Sequence, residues 1–355
     1  MASIRPLERT LAVNVAWNKA RINFLAKFLV ALIQVRTVNL AQIASAFSGS
    51  ATSDSSYKRI QRFLRGFHID FALIAGFVVK LVGVPAPWVI SIDRTDWSLT
   101  STPINILTLG ICYKGVAFPV LWVMLEKRGC SDDLERIWLL SEFDRLFGFD
   151  SISYLCADRE FVSKKLMAYL KDNRIDFRIR LRANTVIANG RGQMVRATRL
   201  FSRYRIGEAV ELIGARRVVG QYLHITGMKL KGGQYLIVAS AKATNQAIEE
   251  YARRWEIETL FGCFKSRGFC LEQTRLREAE RLKKMVGLLA LAFCWAHKVG
   301  EWVSRAKPVA VKQHGRKAKS VFRCGLDHMR RILCNLASAT QQIAFRQVIQ
   351  LLSCT

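Results

Sequence analysis

Apolar residues recur at helical intervals through the first 82 residues of the chain. They predict one helix over Trp17–Val35, a second over Asn39–Phe47 and a third that contains Tyr57–Arg65. A serine-rich run separates the second helix from the third and favours a turn. One side of the third helix is apolar, and its other side carries four cations: Lys58, Arg59, Arg62 and Arg65.

The hydrophobic period changes after Gly83–Pro87, a segment whose prolines and glycine indicate a boundary. Beyond it, three strands with short connections are followed by strands that alternate with helices. The predicted strands are Trp88–Ile92, Ile104–Cys112, Val116–Leu125, Ser151–Cys156 and Ile175–Leu181, and the predicted helices are Asp132–Phe147 and Val162–Asn173. This order is typical of a ribonuclease-H-like sheet.

Short alternating stretches separated by glycines fill residues 182–234 and predict a small β-rich insertion. A buried strand at Tyr235–Ala239, a helix from about Thr244 and an apolar helix over Glu278–Trp302 follow it. We therefore predict an α/β (α+β) fold. Its parts are a helical region (1–82), a ribonuclease-H-like core (83–181 plus 235–302), a β-rich insertion (182–234) and a basic helical C-terminal region (303–355).

Charge narrows the choice of partner. The 55 Lys and Arg residues outnumber the 27 Asp and Glu residues and give a net charge of +28. Such an excess favours a polyanionic partner, because neutralising phosphates releases counterions. A membrane surface is less favoured, since the cations are spread along the chain and do not form one amphipathic face. The helix with Lys58, Arg59, Arg62 and Arg65 then suits DNA docking, although a helical bundle with an ordinary charged surface explains it equally well.

Cysteine and histidine spacing argues against zinc. The nine cysteines include no Cys-x-x-Cys pair, and the five histidines add no cluster at zinc-ligand spacing. An odd cysteine count without a secretory signal favours reduced thiols. The longest apolar run, Met285–Ala296, is too short to cross a bilayer. We therefore expect a cytoplasmic protein with no membrane partner.

The stretch from Tyr251 to Lys265 carries a stripe of chemically active side chains. On a continuous helix, Tyr251, Arg254, Glu258 and Lys265 would fall within roughly 60° of one another. Glu256 would point away from them. A carboxylate can ligate a metal and cations beside it can hold phosphate oxygens. The alternative is an amphipathic helix with solvated charges.

Two aspartates each follow an apolar strand. Asp93 comes after Trp88–Ile92 and Asp158 after the strand that ends near Cys156. If these strands are neighbours, the two carboxylates stand side by side and repel, and a divalent cation would remove that repulsion. Glu258 would complete a three-carboxylate site for two Mg²⁺ or Mn²⁺ ions. The alternative for either aspartate alone is a turn or cap role, and Asp96 is expected to pair with Arg94 or a neighbour.

Together, these residues resemble the DDE transposases of bacterial insertion sequences. Asp93 stands in Asp-Arg-Thr-Asp-Trp, Asp158 stands in Asp-Arg-Glu-Phe, and the stripe matches the Tyr-x2-Arg-x3-Glu-x6-Lys signature of a cut-and-paste subgroup. The resemblance implies that Asp93, Asp158 and Glu258 are catalytic metal ligands. It implies that Tyr251, Arg254 and Lys265 contact phosphates at the transposon end. It also implies a homodimer on paired ends, acting on double-stranded DNA in the bacterial nucleoid.

The predicted function is therefore DNA transposition, in which terminal inverted repeats are cut and joined to target DNA. One alternative is a ribonuclease-H-like nuclease or resolvase that cuts without joining. The other is an inactive DNA-binding regulator derived from a transposase.

Overall fold

Helices dominate the region before the first strand. The structure is a computed structural model that describes residues 4–47, 49–99, 102–313, 315 and 317–353. His314 and Arg316 of the predicted C-terminal region lie outside the described residues. The first helices are α1 (Arg5–Asn14), α2 (Lys19–Val35), α3 (Leu40–Ser45), α4 (Ser53–Gly66) and α5 (Phe71–Val82).

Helices α2 to α5 begin where a side chain can satisfy their free N–H groups. Asn18, Asn39, Thr52 and Asp70 each accept a hydrogen bond from the first turn of the helix that follows. The cap at Thr52 explains why α4 starts at Ser53, four residues before the predicted Tyr57. The inner sides of α2, α4 and α5 are apolar and buried.

A mixed sheet forms the middle of the molecule. Its strands are β1 (Trp88–Leu99), β2 (Thr102–Tyr113), β3 (Val116–Met124), β4 (Ile152–Ala157), β5 (Phe177–Leu181), β6 (Val186–Ala188), β7 (Met194–Arg196), β8 (Ala209–Glu211), β9 (Arg216–Val218), β10 (Gln221–Lys229) and β11 (Tyr235–Ser240). Their order is β3-β2-β1-β4-β5-β11-β10-β9-β6-β7, with β8 beside β10. β1 is antiparallel to β2 and β2 to β3, whereas β1, β4 and β5 are parallel.

The predicted insertion continues the same sheet. Residues 182–234 contain the short strands β6 to β10 and helix α8 (Ala197–Phe201). Strand β10 pairs with β11, which in turn pairs antiparallel with β5 from Ile237↔Leu181 to Ser240↔Arg178. Hydrogen bonds therefore run without interruption from the insertion into the central strands.

The first strand is longer than its apolar pattern predicts. Prediction ends it at Ile92, but β1 pairs with β2 from Ile90↔Ile111 to Leu99↔Thr102. Beyond Ile92 the side chains of β1 alternate between more and less buried positions, as on a strand with one solvated face. The polar residues that suggested a strand end are therefore the outer half of a hairpin.

The remaining helices cover the sheet and close the core. They are α6 (Asp133–Phe147), α7 (Lys164–Asp172), α9 (Ala247–Ala252), α10 (Trp255–Phe264), α11 (Ala279–Ala306), α12 (Val321–Cys334) and α13 (Ala339–Gln350). Helices α5, α10 and α11 pack against β3, which explains why that strand is almost continuously apolar. In the described parts of the chain, none of the helices combines the length and apolar character that spanning a membrane requires.

Helices α11 and α12 cross at two glycines. A Cβ atom at Gly300 would collide with the backbone of Val321, and one at Gly325 with the carbonyl of Ala296. Only a hydrogen side chain permits this approach of the two backbones. His297, one turn before Gly300, is buried and contacts the rings of Phe118 and Phe293.

Candidate active site

Asp93 and Asp158 lie side by side at the point where strand β1 extends beyond the end of strand β4. The two strands are parallel, and their last paired residues are Ile92 and Ala157. Asp158 directly follows the end of β4, whereas Asp93 remains inside β1, opposite Thr108 of β2. The two carboxylates therefore occupy the same level of the sheet.

The stripe from Tyr251 to Lys265 is not one continuous α-helix. Helix α9 begins at Ala247, not near Thr244, and the chain turns at Arg253–Arg254 before α10 begins at Trp255. At the turn, Arg254 N–H donates to the Tyr251 carbonyl (2.9 Å), a three-residue step that tightens the path. Lys265 lies one residue past the end of α10.

Arg254 connects two of the predicted carboxylates. Its Nη1 lies 3.1 Å from Asp93 Oδ2, and its Nη2 lies 2.6 Å from Glu258 Oε1. The guanidinium side chain is 4% exposed and lies 4.7 Å from the ring centroid of Trp255. Burial alone would lower the pKa of Arg254, but Tyr251, Glu258 and Asp93 together raise it. The guanidinium is thus a fixed positive charge between the two carboxylates.

Tyr251 connects to the remaining aspartate. Its hydroxyl donates to Asp158 Oδ1 at 3.2 Å, and its ring is buried with Val238, Ala247 and Ile248. Burial raises the pKa of the Tyr251 hydroxyl, which therefore stays protonated and able to donate. The residues predicted to contact phosphates, Tyr251 and Arg254, hold carboxylates in this structure.

The pKa of the Asp93 carboxyl is strongly shifted by its surroundings. Burial raises the pKa of Asp93 to about 7, and the nearby Arg254 charge and the Arg94 backbone N–H oppose this rise. The neighbouring negative charges of Glu160 and Asp158 raise it further. A buried carboxyl in such surroundings needs a cation or a proton.

Lys265 is placed apart from this cluster. Its Nζ lies 2.9 Å from Glu272 Oε1 and 3.4 Å from the Asp96 carbonyl, and 5.4 Å from the ring centroid of Trp97. It therefore accompanies the outer half of β1. Asp96 pairs with Arg94 (3.2 Å), as the sequence predicts.

The four N-terminal cations do not share one direction. Lys58, Arg62 and Arg65 are exposed on α4. Arg59 turns towards α2, where its Nη2 donates to Asn23 Oδ1 at 3.1 Å and its guanidinium lies 5.7 Å from the Phe24 ring centroid. Arg59 thus packs within the helical region.

Two arginines that the sequence did not single out, Arg178 and Arg253, hold α9 and α10 in place. Buried Arg178 of β5 pairs with Asp176 (2.9 Å) and with Glu250, the residue before Tyr251. Arg253 donates to the Cys112 carbonyl (2.7 Å) and pairs with Glu256 (3.1 Å). The sequence signal for the Arg178 contacts is an arginine between the apolar residues Phe177 and Ile179 of β5.

The donor set suits a divalent cation, although a guanidinium takes the place of one here. Carboxylate oxygens are the ligands that Mg²⁺ and Mn²⁺ prefer, and the buried Asp93 carboxyl requires compensation. Among the described residues, no group of three His, Cys, Asp or Glu side chains is arranged to hold a metal ion. Arg254 instead links Asp93 to Glu258, with one oxygen of each carboxylate in contact with the guanidinium.

Comparison with known proteins identifies the family. A search of solved structures matched the cryo-EM structure of a piggyBac transposase synaptic complex with hairpin DNA, at 13% identity and a TM-score of 0.47 over 94% of this chain and 76% of that one. The comparison with curated proteins found no match. Residues 85–295, more than half of the chain, match the model of the Transposase DDE domain. The chain therefore belongs to the DDE-domain transposase family.

Proposed function

We propose that the chain is the transposase of a bacterial insertion sequence, cutting the ends of its element and joining them to target DNA. Asp93, Asp158 and Glu258 are the proposed catalytic ligands. The main support for this proposal is that Asp93 and Asp158 directly follow the last paired residues of two parallel strands. Arg254 bridges Asp93 and Glu258 through ion pairs. The match to the signature Tyr-x2-Arg-x3-Glu-x6-Lys adds support.

A ribonuclease-H-like core is part of the proposal. The strand order β3-β2-β1-β4-β5, with the first three strands antiparallel and β1, β4 and β5 parallel, supports it. Residues 83–181 and 235–302 would form this core. The flanking regions 1–82 and 303–355 and the insertion 182–234 would contact DNA and the second subunit.

Members of this family generally use divalent metal ions, and we assign two Mg²⁺ or Mn²⁺ ions to Asp93, Asp158 and Glu258. When bound, such ions neutralise charge on the reacting phosphate and promote attack on phosphorus. Tyr251 holds the Asp158 carboxylate in a fixed direction through its hydroxyl. Arg178 fixes α9 by pairing with Glu250, and so keeps Tyr251 in position.

Arg254 is proposed to exchange its partners when the site is loaded. A guanidinium presents parallel N–H groups to a phosphate as readily as to a carboxylate. Once it leaves Asp93 and Glu258, the side chain supplies positive charge to the DNA phosphate at the site. Lys265, beside Asp96 and Trp97, supplies a second phosphate contact.

DNA is held outside the site by further cations. We assign Lys58, Arg62 and Arg65 to the phosphate backbone, because all three are exposed on α4. Arg59, which the sequence places with them, packs against α2 and is assigned a structural role. Double-stranded DNA bearing terminal inverted repeats is the proposed partner, bound by a homodimer on paired ends.

A strand-transfer assay tests the proposal. The purified chain is incubated with Mg²⁺, a linear duplex carrying the inverted repeats that flank its gene, and a supercoiled target plasmid. We expect cleaved ends and joined products, and a loss of at least about 100-fold for Asp93→Asn or Glu258→Gln. Cleavage without joining would indicate a nuclease or resolvase. Unchanged cleavage in both variants would refute the site assignment.

A further inference from the structure

A basic groove lies between α4 and the segment that leads into α11. Its volume is about 640 Å³, and a second hollow of about 520 Å³ continues it, with Gln61 and Arg281 lining both. Two acidic residues, Asp54 and Glu278, contribute to the lining. Six cations outnumber them: Lys58, Arg62, Arg65, Arg275, Arg277 and Arg281.

The first wall follows from the helical period of α4. Lys58, Arg62 and Arg65 project within roughly 60° of one another, because three- and four-residue steps return to the same side of a helix. Ile60 and Phe63 project to the other side and are fully buried. The three cations therefore project away from the core and line the groove.

The second wall follows from the period of an extended segment. Between the turn that ends at Gln273 and the start of α11, Thr274 and Leu276 are buried. Arg275 and Arg277 alternate with them and are exposed. Helical periodicity does not single out these arginines, because they lie in an extended segment.

A buried lysine joins the two walls. Lys284 of α11 donates from Nζ to the Leu64 carbonyl (3.0 Å) and the Arg65 carbonyl (3.5 Å) in the last turn of α4. A cation at this position also suits the helix dipole. The spacing of the walls is thus set by a contact in the core and not by the exposed arginines.

The groove cations are largely available to a ligand. In the part of the chain that the structure describes, Arg281 pairs with Glu278 at 2.9 Å. The side chains of Lys58, Arg62, Arg65, Arg275 and Arg277 have no carboxylate at ion-pair distance among the described residues. Such unpaired like charges repel one another, and phosphates would relieve that repulsion.

We propose that this groove binds the phosphate backbone of duplex DNA, with Arg275 and Arg277 acting together with the α4 cations. The proposal rests on the proposed transposase function and extends it to a surface shared by the helical region and the core. Arg275 follows Lys265 by ten residues, so their Cα atoms lie within about 36 Å. One turn of B-DNA spans a similar length, so a single duplex could contact Arg275 and Lys265 within about one turn.

The test measures DNA binding by the full chain without metal. A fluorescein-labelled 30-base-pair duplex of random sequence is titrated by anisotropy in EDTA at several KCl concentrations. For Arg275→Gln/Arg277→Gln we expect about tenfold weaker binding at 100 mM KCl and a log–log salt slope that is smaller by about 2, the loss expected for two phosphate contacts. Arg62→Gln/Arg65→Gln should behave in the same way.

A matched control removes the same charge elsewhere. Arg174→Gln/Lys242→Gln replaces two exposed cations of the proposed core that lie outside the groove and should leave most of the affinity and slope intact. Equal losses in the groove and control variants would overturn the groove and leave only the effect of net charge. Wild-type affinity in both groove variants would also overturn it. Neither result bears on metal-dependent cleavage, so the groove can fail while the proposed function stands, and thermal unfolding checks that each variant is folded.

Discussion

The Arg254 guanidinium lies 3.1 Å from the Asp93 carboxylate and links the turn between α9 and α10 to the middle of β1. The ion pair is buried, so each charge depends on the other for compensation. The same side chain reaches Glu258 at 2.6 Å. A positive charge therefore already stands where the proposed reaction requires divalent ions.

Arg254→Gln should separate metal binding from catalysis. Removing the guanidinium leaves Asp93 and Glu258 without their cation, and a divalent ion then no longer competes with Arg254 for these oxygens. We expect Mn²⁺ to bind about tenfold more tightly in isothermal titration, while strand cleavage falls at least about 100-fold. Weaker Mn²⁺ binding than in the wild type would show that Arg254 supports the metal site instead of filling it.

Metal affinity should depend on pH through Asp93. Burial raises the pKa of Asp93 to about 7, so the metal-free folded protein retains a proton there below neutrality. A divalent ion requires the carboxylate, and its binding releases that proton. We expect Mn²⁺ affinity to fall by up to about tenfold per pH unit below pH 7 and to level off above it. An affinity that does not change between pH 6 and pH 8 would contradict this expectation.

His297 should make the folded state sensitive to acid. Burial lowers the pKa of His297 to about 4, against 6.5 in the unfolded chain, and neither ring nitrogen has a hydrogen-bond partner among the described residues. Between these values the unfolded state binds the extra proton, so stability rises with pH. Its contribution is fully present above about pH 6.5 and is lost towards pH 4, by at most about 1.4 kcal/mol per unit.

His297→Phe tests this assignment, since the side chain already packs against two phenylalanine rings. Urea unfolding at pH 4.5 and 7 should give a smaller difference in unfolding free energy than in the wild type. The comparison uses the difference between two pH values, so a uniform packing cost of the larger ring does not affect it. An unaltered difference would assign the acid sensitivity to other groups.

The crossing of α11 and α12 should tolerate no added methyl group. Gly300→Ala would force the new Cβ into the Val321 backbone, and we expect a loss of about 1–3 kcal/mol or more in unfolding free energy. Gly76→Ala is the control, because a Cβ there meets nothing within 4 Å and α5 is helical at that position. This substitution should stabilise the protein by about 0.5–1 kcal/mol. Equal effects of the two substitutions would argue against the tight crossing.

Local sequence patterns predicted many of the helices and strands. The features that they missed depend on contacts between residues far apart in the chain. Alternation and helical period located the strands at Trp88 and Ile104 and the helices at Asp132 and Glu278 to within a few residues. They ended β1 too early, because its outer half is stabilised by pairing with β2 and not by its own apolar residues. They also predicted one continuous helix from Tyr251 to Lys265, because no residue type typical of a turn occurs at Arg253–Arg254.

In the candidate site, too, local spacing predicted the residues but not their distant partners. Spacing selected Tyr251, Arg254 and Glu258, and the structure brings them to Asp93 and Asp158. Their partners were not predictable, because Arg254 and Tyr251 bond to carboxylates that lie 161 and 93 positions away in the chain. Arg275 and Arg277 were missed for a different reason, as a four-residue extended segment is too short for a period to stand out.

The extension of β1 beyond β4 limits how this gene can vary. From Asp93 to Leu99 the strand is held along one edge only, by β2, and its side chains alternate between two faces. A single-codon insertion or deletion between Asp93 and Trp97 would exchange the faces of the residues that follow it in the strand, and would turn Trp97 away from Lys265. Two-codon changes would preserve the alternation, so length variation in this hairpin should be found in steps of two.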